Sequence, residues 1–164
     1  MAEEKRTRTI TWEDPQQGAQ AAKSMSGLAY LQSIIDGQNP TAPIGQALGF
    51  EPVSVEDGKA VFAVVPAEYH YNPIGLVHGG LVCTLCDSAM GCAVHTKLKE
   101  GLSYTTLEIK VNMVRPITAK TGRLTCTGTV IHVGRSVATA EARVEDEQGR
   151  LYAHATTTCM IFNS

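Results

Sequence analysis

An α+β fold, with six antiparallel strands curved around one buried helix, follows from three observations. Gly79 to Val94 is a nearly continuous apolar run with a single charge, Asp87. Two strand-like segments precede that run and four follow it, joined by linkers too short for parallel crossovers. The chain of 164 residues is 43% hydrophobic and 18% charged, as one globular domain would be.

The elements follow in chain order. Residues 1–23 hold charges, Gln, Gly and Pro without a sustained period. They read as a flexible N-terminal tail, with Trp12 its one large anchor. Residues 24–164 form the single domain. Leu28, Leu31 and Ile35 recur at helical spacing, with Tyr30 and Ile34 beside them. Ser24 or Ser26 can cap that helix and Gly37 can end it. Asn39-Pro40 and Ala42-Pro43 then break the chain. A strand begins near Phe50, Glu56-Asp57-Gly58 turns it, and Ala60–Val65 returns until Pro66. After the central helix, strands are expected over 103–114, 121–132, 136–145 and 151–162. Gly134-Arg135 and Glu147-Gln148-Gly149 make the hairpin turns. In the last strand Ala153, Ala155, Thr157, Cys159 and Ile161 alternate with Tyr152, His154 and Met160.

Several function classes drop out. Lys plus Arg is 14 against 16 for Asp plus Glu, a formal charge of −2 with no basic run, so no nucleic-acid partner is expected. No membrane span is expected either, since the apolar run is short of the roughly 20 residues required. Five cysteines cannot all pair within one chain, and Met1–Pro15 lacks the apolar core of a secretory signal. A cytoplasmic, reducing location follows. Cys83 and Cys86 form a lone C-x-x-C without a second pair, which favours core packing over metal. Cys92, Cys126 and Cys159 read likewise. His95, His132 and His154 are scattered and form no metal motif. Glycine-rich nucleotide loops and a G-x-S-x-G elbow are absent from the sequence.

The central helix carries the chemistry. Apolar on nearly every face, it is expected to be buried all round. Between Glu68 and Lys97 its only charged residue is Asp87. A buried lone carboxylate is costly, and desolvation would raise its pKa, as suits a general base or a nucleophile. His78-Gly79-Gly80 opens the helix. Glycines there leave backbone amides open to a ligand, and those amides can stabilise charge on an oxygen. Asp87 lies about 10 Å beyond Gly80 at the helical rise. One acid therefore cannot sit beside its own helix's donors, and a site using both needs a second subunit.

The segment Tyr71-Asn72-Pro73-Ile74-Gly75-Leu76-Val77-His78-Gly79-Gly80, followed by Leu85-Cys86-Asp87-Ser88-Ala89-Met90-Gly91, resembles the hotdog-fold acyl-CoA thioesterases. The branch is the phenylacetate-degradation (PaaI-like) type, near the 4-hydroxybenzoyl-CoA thioesterases, and the likeness covers residues 25–162. It implies a hotdog fold: a six-stranded antiparallel sheet wrapped around a long central helix. By resemblance, Asp87 is the catalytic carboxylate that activates water or attacks the thioester. Gly80 or Gly79 is the backbone donor to the carbonyl, and His78 and Asn72 are the polar residues before the helix. Thr105 or Thr106 supplies a hydroxyl beside the attacking water. Gly91 stands where some relatives carry Thr, so that turn is given no hydrogen-bonding role. Arg115 or Arg135 pairs with coenzyme A phosphates, with Gly134 and Ser136 beside the channel and Leu81 at the acyl pocket. The implied substrate is an acyl-CoA. No cofactor is implied beyond coenzyme A within it, and no metal. The implied assembly is a homodimer or a homotetramer built as a dimer of dimers. An acyl-CoA-binding sensor on the same fold is the alternative, and only catalysis requires Asp87.

Overall fold

The computed structural model describes residues 5–164. The elements are α1 (Pro15–Lys23), α2 (Gly27–Ile35), α3 (Pro43–Leu48), β1 (Phe50–Glu56), β2 (Lys59–Val64), a 3₁₀ turn (Glu68–His70), α4 (Gly79–Thr96), β3 (Leu102–Met113), β4 (Leu124–Val133), β5 (Val137–Asp146) and β6 (Leu151–Asn163). The strands form one sheet in the order β1-β2-β4-β5-β6-β3, and every neighbouring pair is antiparallel. The α+β reading therefore holds, with the long helix α4 packed against all six strands.

Alternation along the strands explains which face α4 takes. In β5, Ala138, Ala140, Ala142 and Val144 are buried, while Val137, Glu141 and Arg143 are exposed. In β6, Ala153, Ala155, Thr157, Cys159 and Ile161 turn inward. The small side chains let α4 lie close. From the helix, Leu85, Cys86, Met90 and Val94 are almost fully buried. Each large apolar side chain so buried contributes roughly 1.5–3 kcal/mol. Closest approach falls at Gly128 of β4, where an added Cβ would lie 2.3 Å from the Ala89 carbonyl oxygen and 2.7 Å from the Met90 nitrogen.

Two expectations change. The segment read as a flexible tail contains α1. Asp14 accepts the Gln16 N–H, Pro15 opens the first turn, and the Gln and Ala residues that follow favour helix without an apolar face. Gly18 seats this helix against the Tyr30 hydroxyl. The same expectation for residues 1–4 lies outside the described residues. Pro43 breaks the preceding chain as expected, but it also starts α3. Elsewhere the boundaries agree closely. Ser26, not Ser24, caps α2, and Gly37 follows it at φ 73°. β4 starts at Leu124 rather than 121, because Thr118 and Thr121 close a turn on each other. Among the described residues, no helix is long and apolar enough to cross a membrane.

The contact at Gly128 is backbone against backbone, so neither side can yield cheaply. Gly128→Ala should lower stability by about 1–3 kcal/mol, read as a fall in the urea midpoint at unchanged m-value.

Candidate active site

One stripe of α4 is open. Gly80 and Asp87 are exposed and Cys83, Thr84 and Ser88 partly so, at spacings of three and four residues. This corrects the expectation of a helix buried all round and of a buried Asp87. β3 is the last strand of the sheet, and among the described residues no further strand pairs beyond it. The Asp87 carboxylate is nevertheless oriented, since its Oδ1 accepts a hydrogen bond from Thr106 Oγ1 at 2.8 Å. Thr106 comes just before an irregularity in the β3–β6 register, between Thr106 and Glu108. Of the two threonines, Thr106 faces α4, whereas Thr105 is exposed and pairs in register with Met160.

The start of α4 is also built from named contacts. His78 is the N-cap, and its Nδ1 accepts the Gly80 N–H at 2.8 Å. The Gly80 amide is therefore not free, contrary to expectation. The Gly79 N–H, at the first helical position, has no acceptor among the described residues. Asn72 Oδ1 accepts from the Ile74 and Leu76 amides, both at 3.1 Å, which shapes the loop and leaves its Nδ2 unused. Asn72, Gly79, Met113 and Arg115 line one cavity of about 330 Å³. Arg115 donates to the Leu151 carbonyl at 3.3 Å and lies over the Tyr152 ring. Gly79 and Asp87 are eight residues apart, about 12 Å at the helical rise. Donor and acid of one chain do not meet.

The remaining expected residues fall elsewhere. Gly134, Arg135 and Ser136 line a separate cavity of about 520 Å³ at the far end of α4, together with Lys97 and Lys99. Lys97 is held by Asp57 at 2.7 Å. Leu81 is only 6% exposed and belongs to the hydrophobic core. Cys86 packs against Cys126 with 3.9 Å between sulfurs, and all five cysteines are free. Among the described residues no group of three or more His, Cys, Asp or Glu side chains could hold a metal.

Two histidines gain roles that no motif announced. His70 is buried and fully bonded: its Nδ1 accepts the Ala67 N–H at 3.0 Å and its Nε2 donates to the Leu48 carbonyl at 2.7 Å. Its own carbonyl accepts the His78 N–H at 2.8 Å, so it props the loop that leads into α4. Burial lowers its pKa, and the nearby Arg8 charge adds to that against the opposing bond to Leu48. His95 is not a surface residue. It lies between Tyr30 and Tyr104 with its Nδ1 unpartnered, and burial lowers its pKa too.

Comparison with known proteins identifies the family of the fold. A family profile described as the thioesterase superfamily matches residues 74–153, the stretch holding Gly79, Asp87 and Thr106. The 1,4-dihydroxy-2-naphthoyl-CoA hydrolase of Listeria monocytogenes is 29% identical over 116 residues, covering 71% of this chain and 93% of the relative. A phenylacetic acid degradation-related protein of Ralstonia eutropha superposes with TM-score 0.72 at 28% identity, over 80% of this chain and 98% of that one. A Streptococcus mutans protein bound to acetyl-CoA superposes with TM-score 0.63 at 26% identity, over 70% and 90%.

Burial favours the neutral form of both imidazoles, and an unfolded imidazole titrates near 6.5. Their folded pKa values are depressed, so the unfolded chain binds more protons below about 6.5. Stability should hold above that pH and decline as pH falls from it toward the folded values. Urea midpoints at pH 7 and pH 5 check this. His70→Gln, which cannot become charged, should flatten part of the decline.

Proposed function

Because the chain belongs to the thioesterase superfamily, we propose that it hydrolyses the thioester of an acyl-CoA to a free acid and coenzyme A. The observation that carries this reading is Asp87, exposed on an otherwise apolar helix and oriented by Thr106. In the proposed reaction Asp87 either draws a proton from water or attacks the carbonyl itself, and the Gly79 amide holds the developing oxyanion. The leaving thiolate is stable enough to depart without a strong acid. The chemistry uses carboxylate, amide and hydroxyl alone.

The proposed site is shared between two subunits. β3 lies at the sheet edge with twelve residues, and Leu107, Met113 and Val114 are exposed along or just beyond it. Long apolar edges favour pairing with another chain. Near the middle of β3, Thr106 touches Asp87; at its C-terminal end, Met113 lies against Gly79. Antiparallel pairing of β3 with its twofold copy brings one chain's Asp87 end to the other chain's Gly79 end. A dimer, or a tetramer of two such dimers, keeps this pairing. Arg135 and Lys99 are the cations proposed for the nucleotide phosphates.

Asp87→Asn should lower kcat by at least about 100-fold while acyl-CoA binding persists in titration. Wild-type turnover in that variant would remove Asp87 from the mechanism, whereas acyl-CoA binding without turnover in the wild type would leave a binding module as the reading. A second experiment tests sharing. Gly79→Pro removes the amide at a helical position that tolerates proline. Mixed with Asp87→Ala chains, it should restore about a quarter of wild-type turnover, one intact site per heterodimer. Mixed dimers that form yet stay inactive would count against the shared site. Arg135→Ala should raise KM for acyl-CoA more than for an acyl-pantetheine lacking the nucleotide.

A further inference from the structure

The chain ahead of α1 forms no helix or strand, yet Arg6 and Arg8 both have partners on the body of the protein. Arg6 pairs with Glu68 at 2.7 Å, but the two side chains are 69% and 62% exposed. Such a pair contributes little. Arg8 is placed differently. Its guanidinium donates to the Ala47 and Gln46 carbonyls, at 2.5 and 3.0 Å, and lies 4.1 Å over the Tyr69 ring. Those carbonyls end α3, and the next one, Leu48, accepts from His70 Nε2 at 2.7 Å. Arg8 and His70 thus cap one helix end together. Tyr69 links them, with its ring centroid 4.2 Å from that of His70. Gly49 leaves room for this packing, since an added Cβ would lie 2.8 Å from the Tyr69 hydroxyl and 3.3 Å from the Arg8 guanidinium.

We propose that Arg8 is a positioning residue for the Gly79 amide, acting through His70. The proposal rests on the hydrolase reading above. Each step of the path is a contact. Arg8 holds the end of α3 and the Tyr69 ring, and these in turn hold the His70 imidazole. The His70 carbonyl accepts the His78 N–H at 2.8 Å, and His78 Nδ1 accepts the Gly80 N–H at 2.8 Å. The path also needs an uncharged His70, because its Nδ1 has to accept the Ala67 N–H. Burial and the Arg8 charge both favour the neutral ring. An oxyanion donor acts on the transition state more than on bound substrate. An error in its placement therefore lowers kcat more than it raises KM.

Kinetics and hydrogen exchange test this together. Arg8→Ala should lower kcat for an acyl-CoA by about 10-fold, with KM changed by less than about 2-fold. Arg8→Lys, which keeps a donor and the charge, should recover part of the loss. Arg6→Ala, which removes only the exposed pair, should leave kcat within about 2-fold of wild type. Amide exchange without substrate reads the path directly. The His78 and Gly80 amides should exchange about 10-fold faster in Arg8→Ala than in wild type, with Ala140 and Ala142 of β5 unchanged. Unchanged exchange at His78 and Gly80, or equal acceleration in β5, would overturn the proposal. A rise in KM at constant kcat would do the same. If wild type cleaves no acyl-CoA while Arg8→Ala still frees the His78 and Gly80 amides, the hydrolase reading falls and the path from Arg8 stands.

Discussion

The molecule depends on how closely α4 can lie against its sheet. The Ala89 carbonyl and Met90 amide rest on the bare Cα of Gly128, and alanines of β5 and β6 line the floor on either side. A helix this close buries Leu85, Met90 and Val94 in a layer with almost no solvent access. Close packing of this kind also fixes rotation. Once Cys86, Ala89, Met90 and Ala93 face the strands, the stripe through Gly80, Thr84 and Asp87 has to face away. The position of the acid is thus a consequence of core packing on the opposite side of the same helix.

That geometry keeps the two groups of the proposed site apart within one chain. Amide and acid share a helix but stand about 12 Å apart, and no bend in α4 brings them together. The sheet supplies the remedy proposed here, because β3 carries one contact to each end of the open stripe and has an unpaired edge. The loop before α4 is held independently of any second subunit. His70 ties it to Ala67 and Leu48, and Asn72 closes the turn that follows. His78 takes the Gly80 amide and leaves Gly79 as the open donor. Preorganised donors of this sort act without reorganisation at the moment of reaction.

Among the described residues, three cavities border α4 and differ in chemistry. The one at its start gathers amide, carboxamide and guanidinium groups. The one at its end is rimmed by Lys97, Lys99 and Arg135. The one beneath α2 is apolar.

Much of this was legible in the sequence. Alternation in β5 and β6, the turns at Gly134 and Gly149 and the long apolar helix report local periods, and local periods survive tertiary packing. Asp87 stood out because it is the single charge in that helix. What could not be read was environment. The sequence implied a buried Asp87, since an apolar run carries no record of where a sheet ends. It left Thr105 and Thr106 equal, because which one faces α4 depends on the β3 register. It did not show that Leu81 belongs to the core. It missed α1, whose stability comes from caps and propensity rather than an apolar face, and it missed His70, whose three partners are up to 22 residues away. The sequence alone determined the six strands, the central helix and the place of its single charge. Tertiary structure decided exposure, partners and cavity, because these are set by contacts between residues distant along the chain.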